Sequence, residues 1–251
     1  MTATTLHRRK PPVLLCDADG VLFDSEAPAY EASAGVTNAL LAEVGIDARF
    51  TAEELRLGHT GMNFRTTAVV LCRQYGVDLG DEVLSEWVER ERIEVTRRLA
   101  DTLVEDPEVT GPVAALRDHL SLALVSSSAS SRLDACLKAT RLDRYFPVHV
   151  RFSAEDSLPL PRSKPDPAIY RLAGERMRCT GVQGLAIEDS AVGVQAAVGA
   201  GFPVVGNVHF VAPDEREDRR AQLAAAGAEV VVERWSDIPA LLGLGALAPG
   251  G

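Results

Sequence analysis

Lysine is nearly absent from this 251-residue chain: of 26 basic residues, only Lys10, Lys138 and Lys164 are lysines. Basic charge as a whole is in deficit. Against 36 acidic residues it leaves a formal net charge of −10, which argues against general binding to nucleic acid or to an anionic membrane, because both need a basic surface. Cysteine is scarce and scattered. Cys16, Cys72, Cys136 and Cys179 form no C-x-x-C pair and sit in apolar or helical-looking surroundings, so buried, reduced thiols are expected. Long apolar runs are missing as well. Nothing approaches the roughly 20 apolar residues of a transmembrane helix, and the run Val13 to Cys16 is too short for a signal-peptide core. These absences lead to the expectation of a cytoplasmic protein with flexible tails at residues 1–10 and 246–251. No internal repeat or low-complexity tract is present.

What the chain does have is 46% hydrophobic residues and a mean hydropathy near zero, enough for a substantial core and a second module of modest size. After Asp24, helix-like segments follow one another at about Ser25 to Val44, Thr51 to Leu57, Met62 to Tyr75 and Asp81 to Ala100. Thr51 with Glu54 reads as a capping box and Asp81 as an N-cap. From about Leu103 the pattern changes. Expected strands at Leu120 to Val125, Pro147 to Phe152, Gly184 to Ile187, Pro203 to Val205 and Glu229 to Val232 alternate with helices. The helices are expected at Val113 to His119, Ser130 to Thr140, Pro167 to Arg178, Ala191 to Ala200, Asp214 to Ala226 and Ile238 to Leu242. That alternation predicts an α/β fold with a doubly wound, mainly parallel sheet. Residues 11–24 and 103–245 form the expected core, and residues 25–102 an inserted helical cap.

In such sheets ligands bind beyond the C-terminal ends of the strands. The first strand runs into Asp17-Ala18-Asp19-Gly20. Residues i and i+2 of a strand lie on one side, about 6.5 Å apart, so both carboxylates are expected to project together. Like charges held so close need a cation or a shared proton. The strand at Leu120 to Val125 ends at Ser126-Ser127-Ser128, whose hydroxyls suit a phosphate oxygen and could also cap the next helix. Lys164 lies in Ser163-Lys164-Pro165-Asp166-Pro167, where the prolines are expected to hold the backbone extended. The strand at Gly184 to Ile187 ends at Glu188-Asp189-Ser190, a second acidic pair at a helix start, where Asp189 alone could be an N-cap. Each feature has an ordinary structural explanation. Together, at successive strand ends, they are the parts for Mg²⁺-assisted phosphoryl chemistry: oxygen ligands for a hard cation, and a cation with hydroxyls for phosphate oxygens.

Competing motifs fail. Val21 stands where an EF-hand loop needs a ligand, Val204 breaks a G-x-G-x-x-G reading of Gly199-Ala200-Gly201, and no Walker A loop or G-x-S-x-G elbow occurs. The ordered set D-x-D-G-V-L-x-D-S-E at Asp17 to Glu26, Ser126, S-K-P-D-P around Lys164 and E-D-S-x-x-G at Glu188 to Gly193 resembles the haloacid dehalogenase superfamily. It is most similar to the β-phosphoglucomutase-like and phosphoglycolate phosphatase-like branch with an inserted helical cap.

The resemblance implies that Asp17 is a nucleophile forming an aspartyl-phosphate and that Asp19 is the general acid and base. It implies Mg²⁺ held by Asp17, the Asp19 carbonyl and Asp189, with Glu188 near or acting through water. Ser126, Ser127 and Lys164 would then hold the phosphoryl group. The segment Gly58 to Arg65 looks like the family's cap specificity loop, in which Arg65 would clamp an anionic substrate group.

Several departures narrow the choice within the family. Ala29 and Tyr30 stand where the mutases carry a histidine, and no lysine lies between Lys10 and Lys138, which counts against mutase and phosphonate-cleaving activity alike. Asp19 itself counts against the dehalogenases. The expected function is a Mg²⁺-dependent phosphatase of a small phosphorylated metabolite, with a β-phosphoglucomutase-type phosphomutase as the alternative. A non-catalytic phospho-ligand binding or signalling protein is the alternative of another class.

Overall fold

The computed structural model describes residues 12–59 and 62–244; both expected tails, and Thr60 and Gly61 of the specificity loop, lie outside them. The chain divides into two compact units. One is built from residues up to Asp24 and from Val104 onward, the other from Ser25–Leu103.

The first unit is organised by an all-parallel sheet of six strands: β1 (Val13–Cys16), β2 (Ser121–Ser126), β3 (Arg151–Ser153), β4 (Gly184–Glu188), β5 (Val204–Asn207) and β6 (Val230–Val232), in the order β3-β2-β1-β4-β5-β6. Strands β1 and β4 are buried along their whole length, as parallel strands covered on both faces must be, and their sequences VLLC and GLAIE are correspondingly apolar. Between the strands run α5 (Pro107–Arg117), α6 (Ser130–Ala139), α7 (Ala168–Met177), α8 (Ala191–Gly199) and α9 (Arg216–Ala226), and α10 (Asp237–Leu241) follows β6. Numbered α1 to α4, the helices of the second unit are Glu26–Glu43, Ala52–Gly58, Phe64–Gln74 and Asp81–Thr102. That unit has a core of its own around Leu40, Leu41, Leu71, Cys72 and Trp87. Among the described residues no helix is long and apolar enough to cross a membrane. All four cysteines are buried and free.

The strand order places a topological switch at β1. The chain leaves β1 for β2 and β3 on one side, then returns for β4 on the other, which opens a crevice at the C-terminal ends of β1 and β4. Cys16 is in register with Leu124 of β2 and with Ile187 of β4, so Asp17, the end of β2 and Glu188 emerge side by side.

Several local expectations change. Helix α5 starts at Pro107, six residues before the expected Val113: Asp106 caps it by accepting the Glu108 N–H at 2.8 Å, and Pro107 fills a position where no N–H is needed. Pro112 is carried inside the helix at the loss of one backbone bond. Residues Val148–Val150 form a 3₁₀ turn rather than the start of β3, closed by the Val150 N–H to the Pro147 carbonyl. Gly80, not Asp81, is the N-cap of α4, and Asp81 stands in the first turn, where its charge suits the helix dipole. The expected capping box at Thr51 and Glu54 is present.

The turn after β1 is anchored from the far end of the chain. The fully buried Trp235 donates its indole N–H to the Val21 carbonyl at 2.7 Å. Trp235→Phe should therefore cost about 1–3 kcal/mol by leaving that carbonyl unpaired, read as a lower urea midpoint at unchanged m-value.

Candidate active site

Asp17 is the first residue past β1, its N–H still bonded to the Ile187 carbonyl at 3.0 Å. Its buried carboxylate meets Lys164 Nζ at 2.5 Å. The same ammonium donates to Glu188 Oε1 at 2.6 Å and to the Val125 carbonyl at 2.8 Å. Carboxylate oxygens of Asp17, Glu188 and Asp189 all lie within 4.8 Å of one another. The ends of β1, β2 and β4 and the segment before α7 thus converge on one charged centre.

That centre has too few cations for its anions. Burial raises the pKa of Asp17 well above the ordinary carboxylate range, Lys164 opposes the shift, and Glu188, Asp189 and Asp19 add to it. Asp189 is pushed up to about 7, first by burial and then by Glu188, against the pull of Arg219 and Lys164. Burial alone would push the Lys164 ammonium down, but Asp17 and Glu188 outweigh it and hold the group protonated. Glu188 Oε2 is buried with no hydrogen-bond partner. A hard divalent cation fits this donor set: three carboxylates with oxygen ligands only, one of them with a buried, unpartnered oxygen.

Asp19 does not continue the strand. The chain turns at Ala18, whose carbonyl accepts the N–H groups of Val21 and Leu22, so Asp19 stands in a turn rather than in the strand, and its charge still acts on Asp17. Its carboxylate accepts a hydrogen bond from Ser128 Oγ at 2.8 Å, and it stands outside the group of three clustered carboxylates.

The serine run is used residue by residue. Ser126 Oγ accepts the Ser128 N–H at 3.0 Å, Ser127 Oγ accepts the Lys164 N–H at 3.2 Å, and Ser128 reaches Asp19. None of the three caps α6. Ala129 is the N-cap, and Asp156 from the loop after β3 takes the Ser130 N–H at 2.6 Å. The segment at Lys164 is a turn, not an extended stretch: the Asp166 N–H bonds the Ser163 carbonyl at 3.1 Å, and the Lys164–Pro165 peptide is cis.

Nor is Asp189 an N-cap. Ser190 caps α8 by accepting the Gly193 N–H at 3.2 Å, which leaves the Asp189 carboxylate facing the cluster. Arg219 of α9 donates to the Asp189 carbonyl at 3.0 Å and stands 3.7 Å from its carboxylate. Two glycines make the approach of the acids possible. A Cβ at Gly193 would lie 1.9 Å from Glu188 Oε2, and one at Gly20, whose φ is +73°, would lie 2.3 Å from Asp189 Oδ2.

Arg65 belongs to the other unit, in the first turn of α3, where its guanidinium donates to Ser85 Oγ at 3.2 Å. Residues that the sequence does not flag include Tyr170, Arg219 and Asp156. Tyr170 is fully buried and its hydroxyl donates to Glu188 Oε1 at 2.6 Å. Its only advance signal is its place in α7 directly after the K-P-D-P turn.

The haloacid dehalogenase-like hydrolase family matches residues 12–201. The chain belongs to that family. The expected hydrolase of this superfamily, on an α/β parallel sheet, is thus what sequence comparison and fold both give. A phosphorylated carbohydrates phosphatase of Thermotoga maritima is 28% identical over 87% of this chain and 93% of its own length. A plasmid-encoded phosphoglycolate phosphatase of Cupriavidus necator is 30% identical over 94% of this chain and 95% of its own. Among solved structures, a putative β-phosphoglucomutase from Thermotoga maritima superposes with a TM-score of 0.65 at 26% identity, covering 92% of this chain and 97% of that one.

In this hydrolase, Gly193→Ala should destabilise by about 1–3 kcal/mol, because the added methyl and the Glu188 carboxylate cannot share the space. Gly35→Ala, in α1 where a Cβ meets nothing within 4 Å, should be neutral or stabilise by roughly 0.5–1 kcal/mol. Denaturant unfolding of the two variants checks the contrast.

Proposed function

We propose that this chain is a Mg²⁺-dependent phosphatase that hydrolyses a small phosphorylated metabolite through an aspartyl-phosphate on Asp17. One observation carries the reading: a buried Asp17 carboxylate at the centre of the sheet, 2.5 Å from Lys164 and clustered with Glu188 and Asp189. The substrate class is a sugar phosphate, sugar acid phosphate or phosphoglycolate. It is supported by relatives named for phosphorylated carbohydrates and for phosphoglycolate, which this chain matches over nearly its whole length.

In this mechanism an Asp17 carboxylate oxygen attacks phosphorus and the bond to the leaving oxygen breaks. Asp19 gives that oxygen a proton as it departs. Asp19 then takes a proton from water, whose oxygen attacks phosphorus, releasing inorganic phosphate and restoring the Asp17 carboxylate. Lys164 holds phosphoryl oxygens and keeps Asp17 oriented, while Ser126 and Ser127 shape the loop beneath the phosphoryl group. Ser128 steadies Asp19 between its two proton transfers. The cation would be held by Asp17, Asp189, Glu188 and the Asp19 carbonyl, and when bound it neutralises charge on the transferring group. Residues 25–103 supply substrate selection, with Arg65 as the group that meets an anionic end of the metabolite.

A phosphomutase is the weaker reading, since Ala29 and Tyr30 replace the expected histidine and that unit contains no lysine. It would show itself by a sugar bisphosphate requirement and an isomerised product.

Phosphate release from a panel of sugar phosphates, sugar acid phosphates and phosphoglycolate should require Mg²⁺ and stop on chelation. Asp17→Asn should abolish it, and Asp19→Asn should slow it by about 10²–10⁴-fold. Wild-type turnover by the Asp17 variant would falsify the mechanism, and failure on every ester would favour a binding protein. Arg65→Ala should raise KM by about tenfold with kcat little changed, as expected for lost ground-state binding.

A further inference from the structure

Tyr170 has no part in the mechanism above, yet its hydroxyl lies among the charges that drive it. Glu188 Oε1 accepts two hydrogen bonds, from Tyr170 Oη at 2.6 Å and from Lys164 Nζ at 2.6 Å, while Oε2 accepts none and is buried. Lys164 is fully committed: an ammonium has three N–H donors, and Asp17, the Val125 carbonyl and Glu188 take all three. A phosphoryl oxygen that Lys164 is to hold must therefore displace one of these partners. Among the three, Glu188 is the one whose accepting oxygen already has a second donor in place.

The ring of Tyr170 does not need its oxygen for packing. It lies against Phe202 at a centroid distance of 6.5 Å, and its face is 5.1 Å from Lys164 Nζ, contacts that a phenylalanine would make equally. A hydroxyl in a fully buried position is costly unless it is bonded, and this one is bonded to the carboxylate beside the nucleophile. We infer that Tyr170 is a positioning residue that keeps Glu188 fixed, with Oε2 presented to the cation, when Lys164 turns a hydrogen bond from Glu188 to a phosphoryl oxygen. This rests on the reading of Lys164 as the phosphoryl-holding group and of the acid cluster as the cation site.

Calorimetric titration of the full chain with Mg²⁺, with and without inorganic phosphate, tests the link without reference to turnover. Tyr170→Phe should weaken Mg²⁺ binding by about tenfold or more, as loss of a group that orients a ligand does, and the loss should be larger with phosphate present. In a Glu188→Gln background the same change should alter the dissociation constant less than twofold. A Tyr170→Phe chain that binds Mg²⁺ as the wild type does, or one whose defect persists undiminished in the Glu188→Gln background, overturns the inference. A wild-type chain that binds no Mg²⁺ overturns the cation reading and this one with it, whereas normal wild-type binding with an unmoved variant overturns this one alone. A readout that needs no variant at Tyr170 is the ring-carbon NMR signal of Cζ-labelled tyrosine in the wild-type chain. The Tyr170 signal should move as Mg²⁺ and phosphate saturate, and a stationary signal overturns the inference.

Discussion

Everything in the core unit answers to one ammonium shared by buried carboxylates. Lys164 stands between Asp17 and Glu188, with Asp189 alongside, in a place where water reaches little of any of them. Taking such charges out of water costs several kcal/mol for each, a cost that Coulomb attraction does not reliably return. A chain selected for stability alone would do as well with apolar residues there. The arrangement makes sense as chemistry, because charge placed in a low-dielectric site acts more strongly on a reacting group than the same charge in water.

The parallel sheet makes such a centre possible. Three neighbouring strands, β2, β1 and β4, end within two residues of one another in register, so residues far apart in the chain emerge side by side without a long loop to place any of them. The loops then need only fine adjustment, by small and specific means. Gly193 and Gly20 give up their side chains so that the acids can approach. Ser190 takes over the helix cap that Asp189 would otherwise provide. Arg219 holds the Asp189 carbonyl. A chain of hydrogen bonds from Asp156 and Ser153 to Ser128 steadies the loop that reaches Asp19.

Most of the sheet was legible because buried parallel strands are short, apolar and bounded by turn residues, as VLLC, SLALVS and GLAIE are. Asp17, Lys164, Glu188 and Asp189 were legible as a group because each follows such a strand or a proline-rich turn. What the sequence could not convey was the direction of side chains once a strand has ended. Asp19 was expected to extend the strand beyond Asp17, but β1 stops at Cys16 and Asp19 sits in the turn after it, where its charge still acts on Asp17. Asp189 could be read as the cap of α8, but the hydroxyl of Ser190 takes that place. Tyr170 carried little signal beyond its place after the K-P-D-P turn, since an aromatic residue at the start of an amphipathic helix reads as core. It is core, and its one polar atom is the part that matters.

The second unit follows a different logic. Its helices bury their own apolar faces around Leu40, Leu41, Leu71 and Trp87, so its stability does not draw on the residues that surround Asp17. The exposed start of α3, with Arg65 on Ser85, can therefore change in charge or length without disturbing the sheet. The reverse also holds: a change at Gly193 or Lys164 acts on the charged centre and leaves that helical core intact. The two units thus rest on two hydrophobic cores with separate sets of supporting residues.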